Sequence, residues 1–152
     1  MRKYSASGNR TLSTTAGSDT IIQLLQPASA LKRLAVGFLE FHSDATADNA
    51  YTIMVKRITA AGSGGTTFTP TLFDPADGAA SAVVRINDTT DPTITASSQL
   101  LQLGGHQRST VMWYAPDGGE IIVPVTNNAG LVTQCTTVTA GFNQVQTIEW
   151  SE

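Results

Sequence analysis

At 152 residues the chain is long enough to form one domain with a hydrophobic core that needs no covalent cross-link. Charged residues make up only 14% of it and the net charge is −3, which argues against a nucleic-acid-binding module because such domains are ordinarily basic. Cys135 is the only cysteine, so a disulfide framework or a cysteine-based zinc site within one chain is excluded.

The leading segment is basic and polar. The first 33 residues carry a charge of +4, which is five basic residues less one acid, and the remaining residues carry −7. This division suits docking onto an acidic protein surface, with ordinary solvated charge as the alternative. Residues 1–10, which include "SASGN", are predicted to form an extended arm that becomes ordered on docking. No apolar segment follows the basic start, so we expect no secretory signal, and no apolar run is long enough to span a bilayer.

Turn-forming residues recur at intervals of about ten residues, and the threonine-rich runs between them have the composition of short strands. One run, "SDTIIQLLQPASALKRL", is a candidate helix. Pro27 interrupts its pattern and β-branched residues begin it, so we interpret it as a strand followed by a turn at Gln26–Ser29. About nine strands of this kind predict an all-β, antiparallel β-sandwich with at most a single short helix.

Three runs allow finer predictions. In "RLAVGFLEF", alternation places Leu34, Val36 and Phe38 on one face of a strand, opposite Ala35, Gly37, Leu39 and Phe41. In "YTIMVKRI" it places Tyr51, Ile53 and Val55 on one face, opposite Thr52, Met54 and Lys56. The runs "STVMWYA" and "EIIVPV" flank "PDGG", where proline presets a turn and glycine tolerates a positive φ, so they are predicted to pair as a hairpin.

The stretch "DPADG" brings two carboxylates, Asp74 and Asp77, close together in a chain with few charges. An EF-hand calcium loop starting at Asp74 would need a glutamate at its twelfth position, where this chain has Arg85. Two acids in one turn are also too close and too exposed for the split pKa values of a glycosidase pair. We therefore interpret Asp74, Pro75 and Asp77 as the start of a turn or short helix.

Enzymatic activity is not expected, and we predict no catalytic residue, cofactor or metal. A Ser-His-Asp triad through His42 or His106 stays open because its members need not be adjacent, but no G-x-S-x-G or H-E-x-x-H motif accompanies either histidine. The glycines of "AAGSGGTT" lack the lysine of a phosphate-binding loop, which predicts a loop tip instead. Cys135 is expected as a small buried strand residue, and Trp113 and Trp150 as core residues first and interface anchors second.

Several stretches of this chain resemble stretches of a known protein family. The resemblance runs almost from end to end of the chain, with the stretches in the same order. They are "KYSASGNRTLSTT", "DNAYTIMVKRITAAGSGGTTFTPTLFDPADGAA", "HQRSTVMWYAPDGGEIIVPVTNNAGL" and the closing threonine-rich strands. The family is that of the capsid decoration (cement) proteins of tailed bacteriophages and prophages. Matching positions are Gly8, Asn9, Arg10, Asp48, Asn49, Arg57, Thr59–Gly62, Pro70, Asp74–Asp77, Gln107, Arg108, Trp113, Gly119, Glu120 and Pro124. "GHQR" stands where the family has a "GQR"-like stretch, and "RINDTTDPTITA" matches only loosely.

The resemblance implies a jelly-roll-like fold and a structural role in the virion. It implies a head decoration protein, often a homotrimer, that binds the major capsid protein from outside and stabilises contacts between capsid subunits. Such a protein is assembled in the host cytoplasm and needs no nucleic acid, membrane or cofactor. Together with the charge division, this makes the leading segment the expected capsid-binding region, through Arg2, Lys3, Tyr4, Asn9 and Arg10.

Two alternatives remain at this point. The first is a carbohydrate- or receptor-binding jelly-roll domain of a phage tail or fibre, whose candidate aromatic residues are Tyr51, Trp113, Tyr114 and Trp150. The second is a small hydrolase that uses a histidine and one of the paired acids of "DPADG".

Overall fold

The structure is a computed structural model that describes residues 1–15, 17–44, 50–106, 108–136 and 141–152. These residues form strands, turns and loops without any helix, and so contain no helix that could cross a membrane. The strands are β1 (Lys3–Thr11), β2 (Ser18–Leu25), β3 (Leu34–Ser43), β4 (Ala50–Ala60), β5 (Thr66–Phe68), β6 (Thr71–Leu72), β7 (Val83–Ile86), β8 (Thr93–His106), β9 (Val111–Tyr114), β10 (Ile121–Val123), β11 (Gly130–Thr136) and β12 (Asn143–Ser151).

The strands form two antiparallel sheets that pack face to face. The first sheet has the order β10-β3-β12-β1-β6, with β9 also paired to β3, and the second has the order β5-β7-β2-β11-β4-β8. The predicted all-β, antiparallel sandwich is therefore confirmed. The described residues form twelve strands where about nine were expected, because β5, β6 and β10 are only two or three residues long.

Alternation along the strands builds the core between the two sheets. In β4, Tyr51, Ile53 and Val55 are buried, as the sequence predicted, and they face large side chains of the first sheet. In β12 every second residue is buried, including Ile148 and Trp150. Burying each such side chain contributes about 1.5–3 kcal/mol, so this shared cluster is the main stabilising feature of the sandwich.

Strand β2 is the most deeply buried strand of the second sheet. Seven of its eight residues are buried, which confirms that "SDTIIQLL" is a strand. The predicted turn after it is also present, since Ala30 N donates to Pro27 O over 3.1 Å. Loops cover the outer face of β2, because Gly62 N donates to Gln23 Oε1 at 2.9 Å.

The predicted N-terminal arm is wrong, because residues 3–11 form an internal strand of the first sheet. β1 pairs with β12 along its whole length, from Lys3 opposite Ser151 to Thr11 opposite Asn143, and with β6 on its other side. Tyr4 is fully buried. The polar residues that suggested an arm alternate with buried residues along β1, as in any strand that has one face in the core and the other in water.

The predicted hairpin around "PDGG" is also wrong. β9 and β10 do not pair with each other; both pair with β3, at Phe38–Phe41 and Leu34–Val36 respectively. They run in the same direction along one edge of β3, as a single edge strand interrupted by residues 115–120. The turn itself exists, since Gly119 N donates to Pro116 O at 2.7 Å and Gly118 has a φ of 73°. The turn therefore lies in a loop that leaves the edge of β3 after β9 and returns to it at β10. The residues of the turn cannot distinguish such a loop from a hairpin.

Candidate functional site: a groove on the outer face of the first sheet

An open groove of about 440 Å³ lies on the outer face of the first sheet. We call it the outer groove. Strands β1, β3, β9 and β12 supply most of its floor, and the segments after β6 and before β10 supply its ends. Its lining residues are Met1, Lys3, Ala35, Gly37, Phe38, Phe73, Tyr114, Glu120, Glu149, Trp150 and Ser151.

A β-bulge at Gly37 places Phe38 in this groove. Glu149 lies opposite Phe38 and Trp150 lies opposite Val36, so Gly37 is the extra residue of β3 at this point. The bulge reverses the alternation, so Leu34, Val36, Leu39 and Phe41 are all buried while Phe38 is only partly buried. The prediction that Phe38 shares a face with Leu34 and Val36 is therefore wrong, because an extra residue shifts every later side chain to the other face.

Three side chains form what we call the aromatic patch: Phe38, Met112 and Tyr114. The rings of Phe38 and Tyr114 lie 4.7 Å apart between centroids, at an interplanar angle of 39°. Tyr114 is 66% exposed and Met112 54% exposed, and the Tyr114 hydroxyl lies 3.8 Å from Met112 Sδ. Large side chains exposed together on one face are typical of an interaction surface, whereas isolated ones are not.

The charged residues of the outer groove are mainly acidic. Glu120 and Glu149 line it together with one basic side chain, that of Lys3. Burial raises the pKa of Glu149; the charge of Lys3 opposes this rise, and the charge of Glu40 on β3 adds to it. Glu149 therefore favours a partner group that donates a hydrogen bond or carries positive charge, since either would stabilise its ionised form.

The five predicted capsid-binding residues do not converge. Arg2 pairs with Asp77 at 3.5 Å, Tyr4 is buried with its hydroxyl donating to Gly78 O at 2.9 Å, and Arg10 pairs with Asp19 at 3.2 Å. Lys3 and Asn9 are exposed on the outer face of β1, and only Lys3 belongs to the outer groove. Intramolecular ion pairs thus satisfy two of the cations that suggested a basic docking segment.

The turn interpretation of "DPADG" is confirmed. Asp77 N donates to Asp74 O at 3.0 Å and Ala76 N donates to Asp74 Oδ1 at 2.9 Å, so Asp74 stabilises a tight turn. No helix follows within the described residues. The two histidines lie on different sheets, His42 on β3 and His106 at the end of β8.

Sequence reasoning missed a cluster that we call the buried polar cluster: Gln23, Gly62, Gly65, Arg85 and Asp88. Asp88 accepts hydrogen bonds from Gln23 Nε2 at 2.5 Å, Gly65 N at 2.8 Å, and Arg85 Nε and Nη2 at 3.0 and 2.7 Å. The cluster fixes the glycine-rich loop that was predicted as a loop tip, and that loop is bridged to Thr90 through Ser63. Asp88 lies in the stretch "RINDTTDP", which carries no recognised motif, so only the tertiary structure reveals its role.

Among the four aromatic residues considered for sugar binding, only Tyr114 is exposed. Tyr51 and Trp150 are buried, and Trp113 is partly buried against the core. Cys135 is buried as expected, and burial raises the pKa of its thiol to about 12, with the Asp19 charge adding to the effect. Such a thiol is protonated and unreactive at neutral pH.

In the part of the chain that the structure describes, no group of three or more His, Cys, Asp or Glu side chains could hold a metal ion. Asp48, Asn49 and Gln107, which belong to the resemblance, lie outside the described residues. No family model matches the chain, and comparison with curated proteins and with solved structures gives no match either.

Proposed function

We propose that this protein is a virion structural protein: a head decoration protein that binds the outside of a phage capsid and stabilises contacts between major capsid subunits. The observation that carries the proposal is the aromatic patch, an exposed apolar surface on the outer face of an otherwise rigid sheet. The family resemblance supplies the identity of the partner, and the patch supplies the surface with which that partner would be held.

The chemistry of the patch supports binding rather than catalysis. Tyr114 and Phe38 present large ring surfaces whose burial against a partner contributes more than that of most side chains. The neighbouring acids, Glu120 and Glu149, would form the polar rim around this apolar centre, which is the usual arrangement at protein interfaces. We accordingly move the expected contact region from the leading segment to the outer groove, which includes only Lys3 of the five predicted contact residues.

The rigidity of the groove supports the same proposal. Its floor is the central part of a sheet in which β12 pairs with β1 and β3 along their lengths. A preorganised surface loses little conformational entropy when it binds, so repeated weak contacts over a shell can add up to stable attachment.

Co-sedimentation with empty heads built from the major capsid protein of the same phage tests the proposal. Removing the exposed side chains in the double variant Met112→Ala/Tyr114→Ala should weaken attachment by about tenfold or more, because these are the most exposed members of the patch. Far-UV circular dichroism should not change, since both side chains project away from the core.

The matched control is Leu31→Ala/Val125→Ala, which removes two exposed apolar side chains, 89% and 44% exposed, that belong neither to the aromatic patch nor to the groove lining. This variant should attach as the unmodified protein does. Failure of the unmodified protein to attach would overturn the decoration proposal. Equal attachment by both variants would show that the aromatic patch is not the contact surface.

A second function, binding of a carbohydrate, is favoured by one observation: the Tyr114 ring is exposed above a groove that contains two carboxylates. An aromatic face can stack on the apolar face of a sugar ring, and Glu120 and Glu149 can accept hydrogen bonds from its hydroxyls. Saturable binding on a glycan array that is lost in Tyr114→Ala would favour this function. Absence of binding to every glycan would exclude it for the array tested.

A further inference from the structure

The outer edges of the two sheets differ sharply in length. Among the described strands, β6 and the interrupted β9–β10 pair lie at the edges of the first sheet, and β5 and β8 at those of the second. β6 has two residues, β5 three, and β9 and β10 four and three, whereas β8 has fourteen. Short or interrupted edges protect a sheet from pairing with other chains, and the second half of β8, which is regular, lacks this protection.

β8 also lacks the side chains that normally prevent pairing at an edge. Its sequence, "TITASSQLLQLGGH", contains no Lys, Arg, Asp, Glu or Pro. Its first half is irregular, with several register shifts against β4, but from Leu101 to His106 it pairs without interruption with Val55 to Ala50. We call this regular segment, Leu101–His106, the free β8 edge, because within the described residues β8 pairs with β4 as its only strand partner. At its last residue, His106 N and O are already hydrogen-bonded to Ser109, so the open backbone groups belong to the residues before it.

The free β8 edge is complementary to itself. In an antiparallel pair centred on Leu103, Gln102 of one copy lies opposite Gly104 of the other. An added Cβ at Gly104 meets nothing within 4 Å, so there is room beside it for the glutamine side chain. Leu101 and Leu103 are only partly buried against the core, and a neighbouring strand would cover the remainder of both. No like charges would meet at this junction.

We propose that two copies of this chain associate through the free β8 edge, pairing antiparallel about a two-fold axis at Leu103 and continuing the second sheet from one copy into the other. The interface is isologous, so each copy contributes the same residues and the assembly closes at two chains. The inference concerns the second sheet and does not rest on the proposed function, which concerns the first.

The mass of the protein in solution, measured by light scattering during size-exclusion chromatography, tests this inference. The unmodified protein should have the mass of two chains. The variant Gln102→Lys/Gly104→Lys should have the mass of one, because it places four ammonium groups across one short strand pair. Its unfolding midpoint at low protein concentration should match that of the unmodified protein. The single variant Gln102→Lys serves the same purpose if the double variant does not fold.

The matched control is Thr93→Lys/Thr95→Lys, which adds the same charge at the same spacing on two exposed positions of β8, outside the free edge. It should keep the mass of two chains. Hydrogen exchange adds a local readout: the amides within residues 101–105 that face away from β4 should exchange more slowly in the pair than in the lysine variant. An unmodified protein with the mass of one chain, or of the three that the resemblance implies, overturns the proposal, as does a lysine variant that stays paired.

Discussion

Asp88 is the residue on which the buried polar cluster depends. Its carboxylate is fully buried and accepts four hydrogen bonds, two of them from the Arg85 guanidinium. Because, among the described residues, these donors compensate the side-chain carboxylate for its loss of water, its removal would leave Arg85 and two amide donors without this partner. Several members of the cluster lie far from Asp88 along the chain, so the cluster connects β2, β7 and two loops.

Replacing Asp88 with alanine should lower the free energy of unfolding by about 3–5 kcal/mol, because the Arg85 guanidinium would then be partly buried without the carboxylate that compensates its charge. Denaturant-induced unfolding measures this directly. Asp117→Ala is the control, because Asp117 is an exposed carboxylate in a loop, and this change should cost about 0.5 kcal/mol or less. A loss below about 1 kcal/mol for Asp88→Ala would show that the cluster contributes little to stability.

At the scale of the elements, the sequence predicted what depends on local pattern. Period-two alternation correctly assigned the buried face of β4, and Pro27 correctly ended β2. Alternation failed in β3, because the bulge at Gly37 is defined by pairing with β12, on a strand more than a hundred residues away. The candidate site was predicted only in part: Tyr114 and Lys3 were named as candidate binding residues. The exposure of Phe38 is produced by that bulge and cannot be read from "AVGFLEF".

The arm and hairpin predictions failed because both concern partners that are distant in sequence. Polar alternation in "KYSASGNRT" fits a solvated arm and a strand with one wet face equally well, and only the pairing with β12 decides between them. Likewise, "PDGG" specifies a turn but not whether the flanking strands pair with each other or with a third strand. Local sequence fixes conformation at such places, whereas tertiary contacts fix the partner.

The position of β1 leads to a prediction about truncation. Deleting Met1–Arg10 removes most of an internal strand, its ladder with β12 and two buried side chains, Tyr4 and Ala6. We expect the truncated protein to be insoluble or to lack a cooperative unfolding transition by circular dichroism, because the core would be open on one side. Deleting only Met1 and Arg2, which precede β1, should leave a folded protein. A truncated form that unfolds cooperatively would contradict this assignment.

At the scale of the whole molecule, the outer groove and the free β8 edge lie on different sheets. Pairing through β8 leaves the outer face of the first sheet uncovered, so a pair of copies would present two aromatic patches to a larger partner. Two linked patches bind more tightly than one when both can engage, because the second contact is then intramolecular. The two surfaces can therefore be tested by separate variants without one masking the other.

The pairing of β1 with β12, the first and last strands along the chain, yields a prediction about folding. Residues 2 and 152 are hydrogen-bonded neighbours, with Arg2 N donating to Glu152 O at 3.3 Å and Glu152 N donating to Arg2 O at 3.0 Å. A short glycine-serine linker can thus join position 152 to position 1, and the chain can be opened between Gly118 and Gly119 in an exposed loop. β9 and β10 tolerate this opening because each pairs independently with β3.

This circular permutant should fold with a free energy of unfolding within about 1–2 kcal/mol of the original, since the opening breaks one turn hydrogen bond. It should also refold faster, because the β1–β12 ladder changes from the most distant pairing in the chain to a hairpin, and local contacts form earlier. Stopped-flow refolding followed by tryptophan fluorescence measures the rate. Opening the chain between Val132 and Thr133, inside buried β11, should prevent folding. A permutant that folds but refolds no faster would show that formation of the β1–β12 ladder is not the slow step.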